Sequence, residues 1–164
     1  MENKNIFGFN VNWNYRSALM LLFLAILPNL LGMVNIQTAF GLKIHLFQYL
    51  IFIAAAVYGP MGGLISGAAG SAFTAVTMHN PYIIIGNMIL GFMTGLLFRK
   101  GFKMIYAVMI AFMIQVPWLW LTDVYLAGMN MTMVNMIVAA LLLSNIVWAV
   151  AASLSYKSIR KAIQ

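Results

Sequence analysis

The sequence predicts an all-α integral membrane protein of six transmembrane helices with both termini in the cytoplasm, and three observations predict it. Hydrophobic residues make up 64% of the chain and charged residues only 7%, against about 25% charged in soluble domains. Six apolar stretches are separated by short turns; each span consumes roughly 20 residues, so residues 1–164 form a single transmembrane domain. The nine Lys and Arg cluster. Lys4 and Arg16 precede the first stretch, Arg99, Lys100 and Lys103 lie between the fourth and fifth, and Lys157, Arg160 and Lys161 follow the last. With six spans these groups share one face, which the bias of Lys and Arg toward inner loops makes cytoplasmic. Only Lys43 falls elsewhere. The net charge of +7 thus belongs to topology in the plasma membrane and not to nucleic acid.

Spans are expected at 16–32, 43–58, 60–78, 82–98, 103–125 and 132–155. The segment before the first has no unbroken apolar core and no small-residue cleavage site, so the first helix is expected to stay in the mature protein. Gly59-Pro60 suits a helix that ends at glycine and another that starts with proline, giving a tight hairpin between spans two and three. Pro81 opens span four after the external His79-Asn80 turn, and Arg99-Lys100-Gly101 closes it. The longest external connection, residues 33–42, is a candidate lid.

Span three contains YGPMGGLISGAAGSAF, with glycine and serine where a core helix would place leucine. Gly59, Gly63, Gly67 and Ser71 recur every four residues and stack on one helical face, so a neighbouring backbone can approach closely. Gly91 and Gly95 repeat the device in span four. Plain helix packing uses the same spacing, so the ladder by itself names no function.

The order of features is more specific: a YGP hairpin, a glycine-laddered helix, an external turn, a helix ending in basic residues and two further spans. This order resembles the substrate-capture (S) components of energy-coupling factor (ECF) vitamin transporters. Tyr58-Gly59-Pro60, Gly63, Gly67 and Gly70 are similar to that family's G-P-x-x-G-x-x-x-G-x-x-G stretch, and size and topology match across almost the whole chain. Many members carry an Ala-x-x-x-Ala docking face on the first span; here Ala18 and Ala25 lie seven apart. The resemblance implies an S-component-like bundle that captures a small vitamin-like molecule from outside. It also implies docking on a membrane coupling (T) subunit driven by two ATPase subunits, with no catalysis and no cofactor of its own. The chain carries no glycine-rich Lys-Ser/Thr phosphate loop, so its energy must come from partners or a gradient.

Polar groups within a bilayer are costly, and their depth indicates where a site lies. Candidate substrate-binding residues cluster in the outer half: Lys43 and Gln48 on span two, Asn80 and Asn87 at the start of span four, Gln115, Trp118 and Asp123 on span five, and Asn135 on span six. Gln115, Trp118 and Thr122 share one side of a helix, with Asp123 turned partly away, so Trp118 is expected to stack a flat ring and the amide to read its edge. Trp118 also suits an interfacial aromatic belt. Asp123 would meet a cationic or amine-bearing solute and Lys43 a carboxylate or phosphate; both alternatives stand. Asn145 is expected to be interhelical glue.

An enzyme would need a nucleophile with its base, paired acids or a metal cluster. With no Cys, one membrane-region Asp, and His45 and His79 on separate segments, none is expected, and no metal site either. The 14 methionines are scattered through every span as core filler, and the chain begins Met1-Glu2 where metal-specific S components begin Met-His. The competing readings are a small structural or assembly subunit and a transition-metal permease subunit.

Overall fold

The computed structural model describes residues 6–34, 36–37 and 43–163. Most of these are helical, joined by turns and irregular segments and by one short antiparallel pairing of Ile36–Gln37 with Lys43–Ile44. The helices are α1 (Tyr15–Gly32), α2 (Gln48–Tyr58), α3 (Pro60–Gly70), α4 (Ala72–Thr77), α5 (Tyr82–Arg99), α6 (Met104–Leu119) and α7 (Met131–Ile163), with α6 running on as a π-helical segment (Trp120–Leu126). Among the described residues, four segments are long and apolar enough to cross a membrane: Tyr15–Gly32, Tyr82–Arg99, Met104–Leu126 and Met131–Ile163. The chain is an all-α membrane protein.

The second expected span differs most from its reading. Lys43–Ile44 is extended and the helix starts only at Gln48. Eleven residues at a rise of 1.5 Å make about 17 Å, short of the ~30 Å hydrocarbon core. The length is tolerable because α2 does not face lipid. Every side chain from Leu50 to Tyr58 is buried, with α1, α3, α5 and α7 packed around it and α6 closing the ring between α5 and α7. A helix apolar on all sides is a central one.

The glycine ladder makes the closest contact in this ring. A β-carbon at Gly63 would fall on the Gly91 carbonyl, one at Gly91 on the Gly63 carbonyl, and one at Gly67 on the Asn87 carbonyl. At Gly95 it would lie 2.7 Å from the Gly59 carbonyl carbon and the Pro60 nitrogen. Helices α3 and α5 therefore run antiparallel, backbone against backbone, with Cα hydrogens where side chains would be, an arrangement suited to Cα–H···O contacts. Gly70 faces elsewhere: its β-carbon would lie 2.5 Å from Cβ of Pro28 in α1. One step further along, the Ser71 hydroxyl donates to the Gly67 carbonyl of its own helix at 2.6 Å.

The expected third span, 60–78, is interrupted at Ser71, between α3 and α4. A break inside a membrane frees backbone groups that must find partners. Asn29 of α1 supplies them, donating from Nδ2 to the Ala69 carbonyl at 2.6 Å and accepting the Phe73 amide at 2.9 Å. At the far end of the bundle the hairpin turns at Gly59, whose φ of 80° favours a residue without a β-carbon. The Tyr58 hydroxyl donates to the Ser17 carbonyl at 2.7 Å, the Asn10 amide to the Tyr58 carbonyl at 2.9 Å, and Arg99 Nη1 to the Gly8 carbonyl at 3.0 Å. Asn14 caps α1 through Ser17 and donates to the Ile163 carbonyl at 3.0 Å. The start of α1, the ends of α2, α5 and α7, and Arg16, Arg99, Lys100, Lys103, Lys157, Arg160 and Lys161 thus gather at one end. On α1, Ala25 is buried and Ala18 is exposed beside an outward stripe of Leu19, Leu22, Phe23, Ile26 and Leu30.

Gly63→Ala and Gly91→Ala are each expected to lower thermal stability in detergent by about 1–3 kcal/mol, the usual cost of overpacking. Gly86→Ala, whose new β-carbon meets its nearest neighbours at 3.4 to 3.5 Å, should melt near wild type. Equal melting temperatures for all three would remove the seam from this account.

Candidate functional site

Because α2 starts late, the helices around it continue past its first residue and leave a gap. Ile51 lies against the Gly91 position, which puts Gln48 near the level of Asn87 on α5, and the His45 amide donates to Ser144 of α7 at 3.0 Å. Beyond that level lies a cavity lined by His45 and Phe47 before α2, Thr74 and Met78 at α4, Ile83 and Asn87 on α5, and Gln115 and Leu119 on α6. Asp123 on the π-helical segment, Met129, and Ile137 and Leu141 on α7 complete it. The empty space among these atoms, its open part included, is about 440 Å³. Such a space suits a small solute. It lies at the end of the bundle away from the basic residues.

Asp123 reaches the cavity through a local distortion. Pro117 lies within α6 and has no amide hydrogen to donate, and three residues later the helix widens so that the Ala127 amide bonds the Thr122 carbonyl at 2.8 Å. The wider turn subtracts rotation per residue. Gln115, Leu119 and Asp123 consequently fall on one line facing the cavity, where regular helical geometry had put Gln115, Trp118 and Thr122 on one side and Asp123 partly away. Asp123 is 3% exposed and accepts a hydrogen bond from Asn80 Nδ2 at 2.6 Å. Asn80, fully buried, also accepts the Tyr82 amide at 3.1 Å, satisfying the first amide of α5.

Of the sequence-predicted residues, Asn87, Gln115 and Asp123 line the cavity, and Asn80 adjoins it through Asp123. Trp118 does not line it; its indole donates to the Tyr82 carbonyl at 3.2 Å and packs between α5 and α6. Asn135 is exposed on α7, away from the cavity. The Lys43 side chain and most of the candidate lid at 33–42 lie outside the described residues. Gln48 is fully buried just below Phe47, with neither amide atom hydrogen-bonded, and Asn145 on α7 is in the same state. Parallel packing of α2 and α7, seen also in the Tyr49 and Trp148 rings 6.0 Å apart, brings these two amides to similar depth. Among the described residues, no three His, Asp or Glu assemble into a metal site.

The sequence reading passed over Thr74 as lining, and also Phe47, Met78, Ile83, Leu119, Met129, Ile137 and Leu141, because nothing distinguishes an apolar residue beside a cavity from one in a filled core. It passed over Asn29 too, although an asparagine within a span is a polar group that needs a partner. Comparison of the chain with protein-family models, with curated proteins and with solved structures gave no match.

Two substitutions with opposite signs test the polar accounting. Asn80→Ala removes the donor on a buried carboxylate and should lower stability by about 1–3 kcal/mol. Gln48→Met replaces a partnerless amide by an apolar side chain of similar length and should leave the melting temperature unchanged or raise it. A large loss in Gln48→Met would mean that its amide is satisfied in the folded protein.

Proposed function

We propose that this chain is the substrate-binding membrane subunit of an ECF-type ABC importer, capturing a small vitamin-like molecule from outside and delivering it through a membrane coupling subunit and two ATPase subunits. The observation that carries the reading is the cavity, built where the central helix stops short and set at the end of the bundle remote from the clustered basic residues. With those residues in the cytoplasm, six spans and both termini inside, the cavity belongs to the outer half of the plasma membrane. That is where a capture subunit meets its solute.

Two further features support the reading. A few polar groups, from His45, Thr74, Asn87, Gln115 and Asp123, meet walls that are otherwise apolar, the composition of a site that orients one small molecule. The outward face of α1, with Ala18 exposed among large apolar side chains, is the surface proposed to meet the coupling subunit within the bilayer. A purely structural subunit would use the glycine seam equally well but would have no use for a buried acid beside a cavity.

The chain has no cysteine, so single-cysteine variants test orientation directly. Met129→Cys should react with a membrane-impermeant reagent added outside intact cells, and Lys161→Cys only after the cells are opened. Native mass spectrometry of the purified subunit should show a retained small molecule, with occupancy reduced by Gln115→Leu. Labelling of both cysteines from the same side, or a subunit that never carries a solute, would overturn the proposal.

A further inference from the structure

We infer that the cavity selects a solute bearing a protonated amine, with Asp123 as its counter-charge; the inference rests on the capture reading above and names the class of molecule captured. By sequence, Asp123 favoured a cation and Lys43 an anion. The charge of the lining separates these alternatives, and several polar donors near the cavity already serve the protein. Asn80 Nδ2 is given to Asp123 at 2.6 Å, Asn87 Nδ2 to the Ile83 carbonyl at 3.1 Å, and the Thr122 hydroxyl to the Trp118 carbonyl at 2.8 Å.

Asp123 is the one carboxylate among the described lining residues. It is 3% exposed, and Asn87 beside it retains its carbonyl oxygen, while Gln115 and Thr74 add neutral groups that can donate as well as accept. No Lys or Arg lies among the described lining residues. A carboxylate or phosphate entering this space would meet Asp123 in an environment that screens it poorly, which disfavours like charges. An ammonium group there would gain a charge-assisted hydrogen bond to Asp123, with acceptors left for its other hydrogens. The apolar wall formed by Phe47, Ile83, Leu119, Ile137 and Leu141 suits a hydrocarbon or aromatic body attached to that amine.

The test uses the full chain in detergent and three probes that share a ring and differ in charge: benzylamine, benzyl alcohol and benzoate. Benzylamine should raise the melting temperature and give a saturable calorimetric signal, with little effect of the other two at equal concentration. Asp123→Asn should weaken benzylamine binding by about tenfold or more, as expected for losing a hydrogen bond to a charged group. The comparison among probes on the wild-type chain stands even if that variant folds poorly. Preference for benzoate, equal binding of all three, or binding of none overturns the inference. The molecule retained in native mass spectrometry separates this failure from that of the capture reading. A retained anion or neutral solute removes only the amine, whereas an empty subunit that binds none of the probes removes both.

Discussion

The contact of α3 with α5, carbonyl against glycine, is the constraint on which the rest of the molecule depends. Lipid is as apolar as leucine, so helices in a bilayer gain little from hiding apolar side chains and associate through close packing instead. Gly63 with Gly91, and Gly95 with the Gly59-Pro60 turn, leave no room for a side chain between the backbones. The contact fixes depth as well as distance: Gly67 abuts the Asn87 carbonyl and so holds Asn87 at the level where α2 begins. A shift of one turn along this seam would carry Asn87 away from Gln115 and Asp123.

The short central helix is the second determinant. A full-length span in its place would have filled the bundle from end to end. With α2 beginning at Gln48, the ring helices enclose α2 in one half and a cavity in the other. The cavity holds groups that a filled core would exclude, and each is stabilised locally. Asn80 holds Asp123 and accepts the first amide of α5, the π-helical turn brings Asp123 into line with Gln115, and Asn29 satisfies the break after α3 that precedes Thr74 and Met78 of the cavity lining.

The two ends of the bundle differ accordingly. At the basic end, the N-terminal segment is stitched to α2, α5 and α7 through Tyr58, Arg99 and Asn14, and the backbone turns tightly at Gly59. At the cavity end, polar side chains converge on empty space. A bundle tied at one end and hollow at the other can admit a small molecule without separating its helices, because the stitching and most of the seam lie below the cavity, which the seam reaches only at Asn87.

The sequence by itself determined that the protein is helical and belongs in a membrane, where its turns fall, and that span three packs through glycine. Those properties follow from composition, charge clustering and a four-residue spacing, all local to the chain. It also pointed to Asn87, Gln115 and Asp123, because a polar residue in an apolar span stands out wherever the span sits. Tertiary structure alone decided that α2 starts only at Gln48, that span three breaks at Ser71 beside Asn29, and that Trp118 gives its indole hydrogen to Tyr82 while Asp123 turns inward. Each of these depends on a neighbour far away in sequence: helices that shield α2 from lipid, an asparagine on α1 that takes up freed backbone groups, or a widened turn whose rotation regular helix geometry does not contain. Apolar stretches look alike whether they face lipid, a core or a cavity, and only the surrounding helices tell these apart.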